Sequence, residues 1–161
     1  FHPRVNILKP GCGVGGHCIA VDPFFIAFQN PKETPLIQAA RNVNKAKTDW
    51  VCSRIETINQ KIFKEIHRKP LIGILGISFK PDVEDLRESP ALFIYKNCVR
   101  LEIDVLACEP NINYYPSIKL HKLNYVLDKC DAIIILVAHK AFKNISFKNN
   151  NIYDFCGALN S

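Results

Sequence analysis

The sequence predicts an α/β chain in which a glycine-rich loop segment and one long helix precede a parallel-sheet domain. Three observations carry this expectation. Short apolar runs alternate with helical patterns after residue 70, as in β–α units. A single helical period spans residues 35–67. Glycine and proline crowd residues 1–34, where little period is visible.

Residues 1–34 read as loop and short helix, with Val5 to Leu8 as a candidate strand. The long helix opens at Thr34-Pro35, an N-cap residue followed by proline at the first helical position. Apolar residues then recur at Leu36, Ala40, Val43, Trp50, Ile55, Ile58, Ile62 and Ile66. At 1.5 Å per residue this helix would be about 50 Å long, more than a small globule covers. Such a helix links domains or builds an interface. Residues 68–161 form the third unit, with strands expected at Leu71 to Ile77, Ile103 to Cys108, Ala132 to Ala138 and Ile152 to Phe155. A helix from Ser89, with Pro90 at its first position, and a short one around Tyr125 to Lys129 lie between them. Lys148 to Asn151 read as a polar turn. Sheets of this kind hold ligands at the carboxyl ends of their strands.

Composition narrows the classes. Hydrophobic residues make up 48% and charged residues 22%, the balance of a globular domain. The longest apolar run, Ala132 to Ala138, is far short of the roughly 18 residues that cross a bilayer, so no membrane partner is expected. The net charge of +6 suits a phosphorylated metabolite as well as a nucleic acid. The lysines are spread out and no aromatic-and-basic stripe appears, so a nucleic-acid partner is not expected. Seven cysteines without a Cys-x-x-Cys pair fit reduced thiols in the cytoplasm. The chain holds no methionine and opens at Phe1, which leads us to expect a fragment.

The most informative stretch runs from Pro10 to Pro23, with glycines at 11, 13, 15 and 16 and cysteines at 12 and 18. It contains Gly-x-Gly-x-x-Gly, the dinucleotide fingerprint, but without the strand before it and the helix after it that the fingerprint requires. The glycines instead suggest a loop whose backbone passes close to a ligand, with N–H groups available to oxygen atoms. A thiol at Cys18 beside such groups would ionise more easily and act as a nucleophile. Asp22 lies one helical turn further on and could activate water against an acyl-thiol. Two other readings stay open: a zinc site from His2, Cys12, His17 and Cys18, and a structural glycine loop with buried cysteines.

Gly-Val-Gly-Gly-His-Cys18-Ile-Ala-Val-Asp22-Pro resembles the catalytic-cysteine signature of the UDP-glucose/GDP-mannose dehydrogenase family. Gly76-Ile-Ser-Phe-Lys-Pro-Asp-Val-Glu-Asp-Leu-Arg-Glu-Ser-Pro-Ala91 resembles that family's second signature, which opens its UDP-binding domain. The order of the two, with the long helix between, also agrees. The resemblance implies a Rossmann-like UDP-sugar-binding domain over 68–161, a central dimerisation helix over 35–67 and a catalytic loop over 1–34. It further implies that an amino-terminal NAD-binding Rossmann domain is absent from this chain, and that NAD is bound mainly by that missing part.

By the same resemblance Cys18 would trap the aldehyde formed at the sugar C6 position and carry it to a thioester, and Asp22 would assist hydrolysis. Lys80 and Phe79, with the loop glycines Gly13, Gly15 and Gly16, would contact the UDP-sugar, and Arg87 the cofactor. Val21 stands where UDP-glucose enzymes usually carry lysine. This favours the branch acting on UDP-N-acetylhexosamines, above all UDP-N-acetylmannosamine, over enzymes of UDP-glucose or UDP-N-acetylglucosamine. In that branch His2 and Arg4 would reach a neighbouring subunit's site. A homodimer through the long helix and a role in surface-polysaccharide synthesis are implied as well. The rival from another class is a non-catalytic UDP-sugar-binding module.

Overall fold

A computed structural model describes residues 9–145 and 151–159. The candidate strand Val5 to Leu8, the residues His2 and Arg4 and most of the polar turn at 148–151 therefore lie outside the described residues. Helix α1 (Asp22–Gln29) and helix α2 (Pro35–Ile66) come first. Strand β1 (Leu71–Leu75), helix α3 (Pro90–Arg100), strand β2 (Asp104–Cys108), helix α4 (Leu123–Lys129), strand β3 (Ala132–Ile135) and strand β4 (Ile152–Asp154) follow. The four strands form one sheet in the order β2-β1-β3-β4, and every pairing is parallel.

Both faces of this sheet are covered, which explains why its strands read as unbroken apolar runs. Ile72 and Ile74 of β1 and Ile134 of β3 point to the face covered by α2 and α3, where they join Val51, Ile55, Ile58, Ile62, Ile94 and Cys98. Leu75, Ile133 and Ile135 point the other way, onto Val126 of α4, Cys130 just after it and Phe142. The apolar runs at 71–77 and 132–138 outlast the strands. Ile77, Leu136 and Val137 remain buried after the ladder has ended, so apolarity there marks burial rather than pairing.

Helix α2 divides in two. Its second half packs into the sheet domain through Thr48, Val51, Cys52, Ile55, Ile58 and Ile62, whereas Leu36 and Val43 in its first half are exposed. The carboxyl-terminal half of the expected connecting helix is thus part of the sheet domain's core. Trp50 is not on the buried stripe; its ring meets Phe155 edge-on at 5.9 Å and lies under Lys47. Thr34 stands at the N-cap position without capping the helix: its hydroxyl donates to the Asn30 carbonyl at 2.8 Å and accepts from the Gln38 side-chain amide at 3.3 Å. Ser89 does cap α3: its Oγ accepts from the Leu92 N–H and donates to the Ile77 carbonyl at 2.7 Å. That second bond ties the start of α3 to the exit of β1.

Strand β1 has β2 on one side and β3 on the other, so the chain's crossovers diverge at the carboxyl ends of β1 and β3. Ligands of open parallel sheets sit at such a divergence. Residues 76–89, the connection from β1 to α3, occupy this end of the sheet.

Candidate active site

Cys18 sits in the turn that leads into α1. Its carbonyl accepts from the N–H groups of Val21 at 2.9 Å and Asp22 at 2.8 Å, so Cys18 and Asp22 stand one helical turn apart, as their spacing predicts. Asp22 opens α1, where a carboxylate also complements the positive end of the helix.

Of the seven cysteines, Cys18 is the exposed one. Burial pushes the thiols of Cys12, Cys98, Cys108 and Cys130 up to about 12 and that of Cys52 up to about 11. Burial raises Cys156 as well, with Asp154 beside it adding to the effect. These six are thiols at neutral pH, small apolar residues rather than nucleophiles. Cys12 cannot join Cys18 in a metal site, since its thiol is buried against the Leu136 carbonyl. Among the described residues no group of three or more His, Cys, Asp or Glu could hold a metal.

The two motifs meet in space. A side chain at Gly15 would fall on the Glu88 carbonyl and, at 2.6 Å, on Pro90. Gly16, with φ at +98°, lies against the Phe79 ring, which a side chain would reach at 2.9 Å. At Gly13 a side chain would meet the Thr48 hydroxyl at 2.8 Å and Pro90 at 3.2 Å. The structure therefore gives these three glycines a close-packing reason, the docking of the first loop onto the 79–90 connection. Asn44 of α2 fixes the loop further, accepting from the Val14 N–H at 2.7 Å and donating to the Val14 carbonyl at 3.1 Å. Thr48 donates to the Cys12 carbonyl at 2.9 Å.

His17 and Arg87 join the motifs next to Cys18. One Arg87 nitrogen is 3.1 Å from His17 Nδ1, and the guanidinium grips Asp85 at 2.7 to 3.1 Å. Asp85 is also 3.5 Å from His17 Nδ1. The Arg87 guanidinium beside it holds the Asp85 carboxyl well below the usual carboxylate range. Arg87 is in turn held more firmly protonated, by Asp85 first and by the nearby Cys18 as a lesser contribution. The cation is thus joined to His17, the residue next to the nucleophile candidate in the chain. Lys80 is exposed, with its ammonium 5.3 Å from the centre of the Phe79 ring.

Sequence reasoning did not single out Asp85, Asn44, Thr48 or His139 as site residues. Asp85 was within reach, lying two residues before Arg87 in the same motif. The others act across 30 or more positions and leave no local signal.

The family model described as the UDP-glucose/GDP-mannose dehydrogenase family, UDP binding domain, matches residues 73–161, and that family's central-domain model matches residues 1–46. A UDP-N-acetyl-D-mannosamine dehydrogenase of Campylobacter jejuni is 47% identical over 96% of this chain and 38% of its own length. An NDP-N-acetyl-D-galactosaminuronic acid dehydrogenase of Ralstonia solanacearum is 43% identical over 89% of this chain and 34% of its own. Among solved structures, the UDP-N-acetyl-mannosamine dehydrogenase of Staphylococcus aureus superposes with a TM-score of 0.77 at 34% identity, over 99% of this chain and 38% of that one. The chain spans well under half the length of these relatives. With both family models matched in order and both signatures docked on each other, the chain belongs to the UDP-glucose/GDP-mannose dehydrogenase family.

Proposed function

We propose that this chain supplies the catalytic thiol and the nucleotide-sugar site of an NAD-dependent dehydrogenase that oxidises the C6 alcohol of a UDP-N-acetylhexosamine to the uronate. UDP-N-acetyl-D-mannosamine is the favoured substrate, because a relative of that name matches at 47% identity, ahead of the 43% of the NDP-N-acetyl-D-galactosaminuronic acid dehydrogenase. The observation that carries the reading is one exposed thiol, Cys18, on a loop that docks against the connection bearing Lys80 and Arg87.

The overall change is a four-electron oxidation that consumes one water. NAD, when bound, accepts the hydride lost at each of the two oxidations. The Cys18 sulfur adds to the C6 aldehyde, and the carbonyl oxygen takes up a proton as the thiohemiacetal forms. Once that adduct has been oxidised to the thioester, water attacks its carbonyl carbon, the carbon–sulfur bond breaks and Cys18 is regenerated. Asp22, one turn from Cys18, can accept the proton of the attacking water. Lys80 meets the diphosphate as a point charge.

The residues fit only part of an NAD site. Arg87 is exposed, meets His17 beside Cys18 in the chain, and suits a contact with the cofactor. Gly13, Gly15 and Gly16 do not suit a dinucleotide cradle, because their open faces are filled by Thr48, Pro90, Glu88 and Phe79. We place the cradle in the part of the longer relatives that this chain does not span. His2 and Arg4 as contacts to a neighbouring subunit, a homodimer through α2, a cytoplasmic location and a role in polysaccharide synthesis complete the reading. The exposed Leu36 and Val43 on the first half of α2 are the apolar surface that the dimer would cover. Calorimetry of the chain with UDP and with NAD tests the ligand assignment; tighter binding of NAD would refute it.

A further inference from the structure

Behind the site lies a buried polar cluster that the chemistry above does not use. Ser78, Glu109 and His139 come from the exits of β1, β2 and β3 respectively, and each is at most 5% exposed. A carboxylate only accepts hydrogen bonds. Glu109 Oε2 accepts from the N–H groups of Ile77 at 2.8 Å and Ser78 at 3.0 Å. Oε1 accepts from the Asn111 N–H at 3.4 Å, and His139 Nε2 lies 3.1 Å from Oε1 and 3.2 Å from Oε2. Nε2 must therefore carry a hydrogen. The other ring nitrogen, Nδ1, receives the Asp82 N–H at 2.9 Å and must therefore be bare. Only the neutral Nε2–H form of the imidazole satisfies both ends. Glu109 thus selects the tautomer, and the tautomer fixes Asp82.

The rest of the turn is tied in the same way. Ser78 Oγ lies 3.2 Å from His139 Nε2 and donates to the Lys80 carbonyl at 2.9 Å. The Asp82 carboxylate accepts from the Lys140 N–H at 3.0 Å. The backbone of residues 77, 78, 80 and 82 is pinned from below, while the Phe79 ring packs under Gly16 and the Lys80 side chain is left exposed. Ordering a flexible turn only when a ligand arrives would cost binding energy, and a pinned turn avoids that cost.

We propose that Glu109 and His139 are positioning residues, which hold the 77–82 turn in place and so present Lys80 to the diphosphate of the nucleotide sugar. The ligand half of this statement rests on the proposed function, and the turn half does not.

The test uses the 161-residue chain labelled with ¹⁵N, with UDP as the probe. In the parent chain the His139 ring should show the Nε2–H form, and the Asp82 amide should exchange slowly with solvent. Glu109→Gln offers an N–H where Nε2 also donates, so the ring should leave that form. The Asp82 amide should then lose at least about tenfold in protection, and UDP affinity should fall about tenfold, the effect of one lost charge-assisted hydrogen bond. Amides of β1 and β3 should not change. Because Glu109 acts through Lys80, Lys80→Ala should cost less affinity in the Glu109→Gln background than alone. An unchanged ring form with a protected Asp82 amide would overturn the proposal, as would a Lys80→Ala effect equal in both backgrounds. Should the parent chain bind no UDP, the functional reading falls, while the ring and amide signals still decide the positioning claim. If Glu109→Gln does not fold, His139→Gln keeps a donor toward Glu109 but has no acceptor at Nδ1, and should unprotect Asp82 in the same way.

Discussion

Replacing Gly15 by alanine is the sharpest test of how the two motifs meet. The added methyl would fall on the Glu88 carbonyl and lie 2.6 Å from Pro90 Cδ and 3.1 Å from the Glu88 carbonyl carbon. These neighbours are backbone and a proline ring at the start of α3, so no flexible side chain can swing aside. Overpacking of this kind costs about 1–3 kcal/mol. Removing a glycine from the unfolded chain returns about 0.4–1 kcal/mol. A net loss of about 1–2 kcal/mol should lower the melting temperature by about 2–8 °C for a chain of this size. Gly11→Ala is the control, because a side chain there meets nothing within 4 Å, and it should melt with the parent or slightly above it. Thermal melts followed by circular dichroism measure both. If Gly15→Ala is as stable as Gly11→Ala, the first loop does not dock on residues 88–90 as described.

Further expectations concern chemistry and pH. Iodoacetamide at neutral pH should label Cys18 ahead of the other six cysteines, which burial keeps protonated, and peptide mass spectrometry would show any other order. In a longer enzyme carrying this segment, Cys18→Ser should abolish uronate formation while UDP-sugar still binds; a near-normal rate would remove Cys18 from the mechanism. Lys80→Ala should weaken UDP binding by about 1–3 kcal/mol in calorimetry. Burial raises the Asp154 carboxyl, but the N–H groups of Leu159, Cys156 and Ala158 outweigh it and leave the value below the ordinary one. Its stabilising contribution is then complete above the usual aspartate range of about 3.9 and is lost as pH falls through the lowered value. Asp154→Asn should accordingly flatten the acid limb of stability against pH, and an unchanged limb would contradict this.

Much of the architecture was legible because it depends on local pattern. The helical period from Pro35, the Ser89-Pro90 start of α3 and the apolar strand runs each declare themselves within a few residues, and the structure places α2, α3 and the strands there. One helical turn between Cys18 and Asp22 follows from their spacing alone. By contrast, apolar runs could not locate the ends of β1 and β3, since burial continues past the last paired residue. Thr34 showed the right residue type for a cap, yet its hydroxyl is turned to the Asn30 carbonyl and the Gln38 side chain.

The sequence by itself determined the α/β class, the long helix, the two motifs and the residues from which a thiol chemistry could be built. Only the tertiary structure decided that the glycines make room for Glu88, Pro90 and Phe79, that five cysteines are buried and a sixth half-buried, and that Arg87 meets His17, the residue before Cys18. It alone brought Glu109 and His139 together beneath the 77–82 turn. The reason is physical. Periodicity and capping arise between neighbours in the chain, whereas burial, close approach and tautomer choice depend on groups that meet only after the strands have paired.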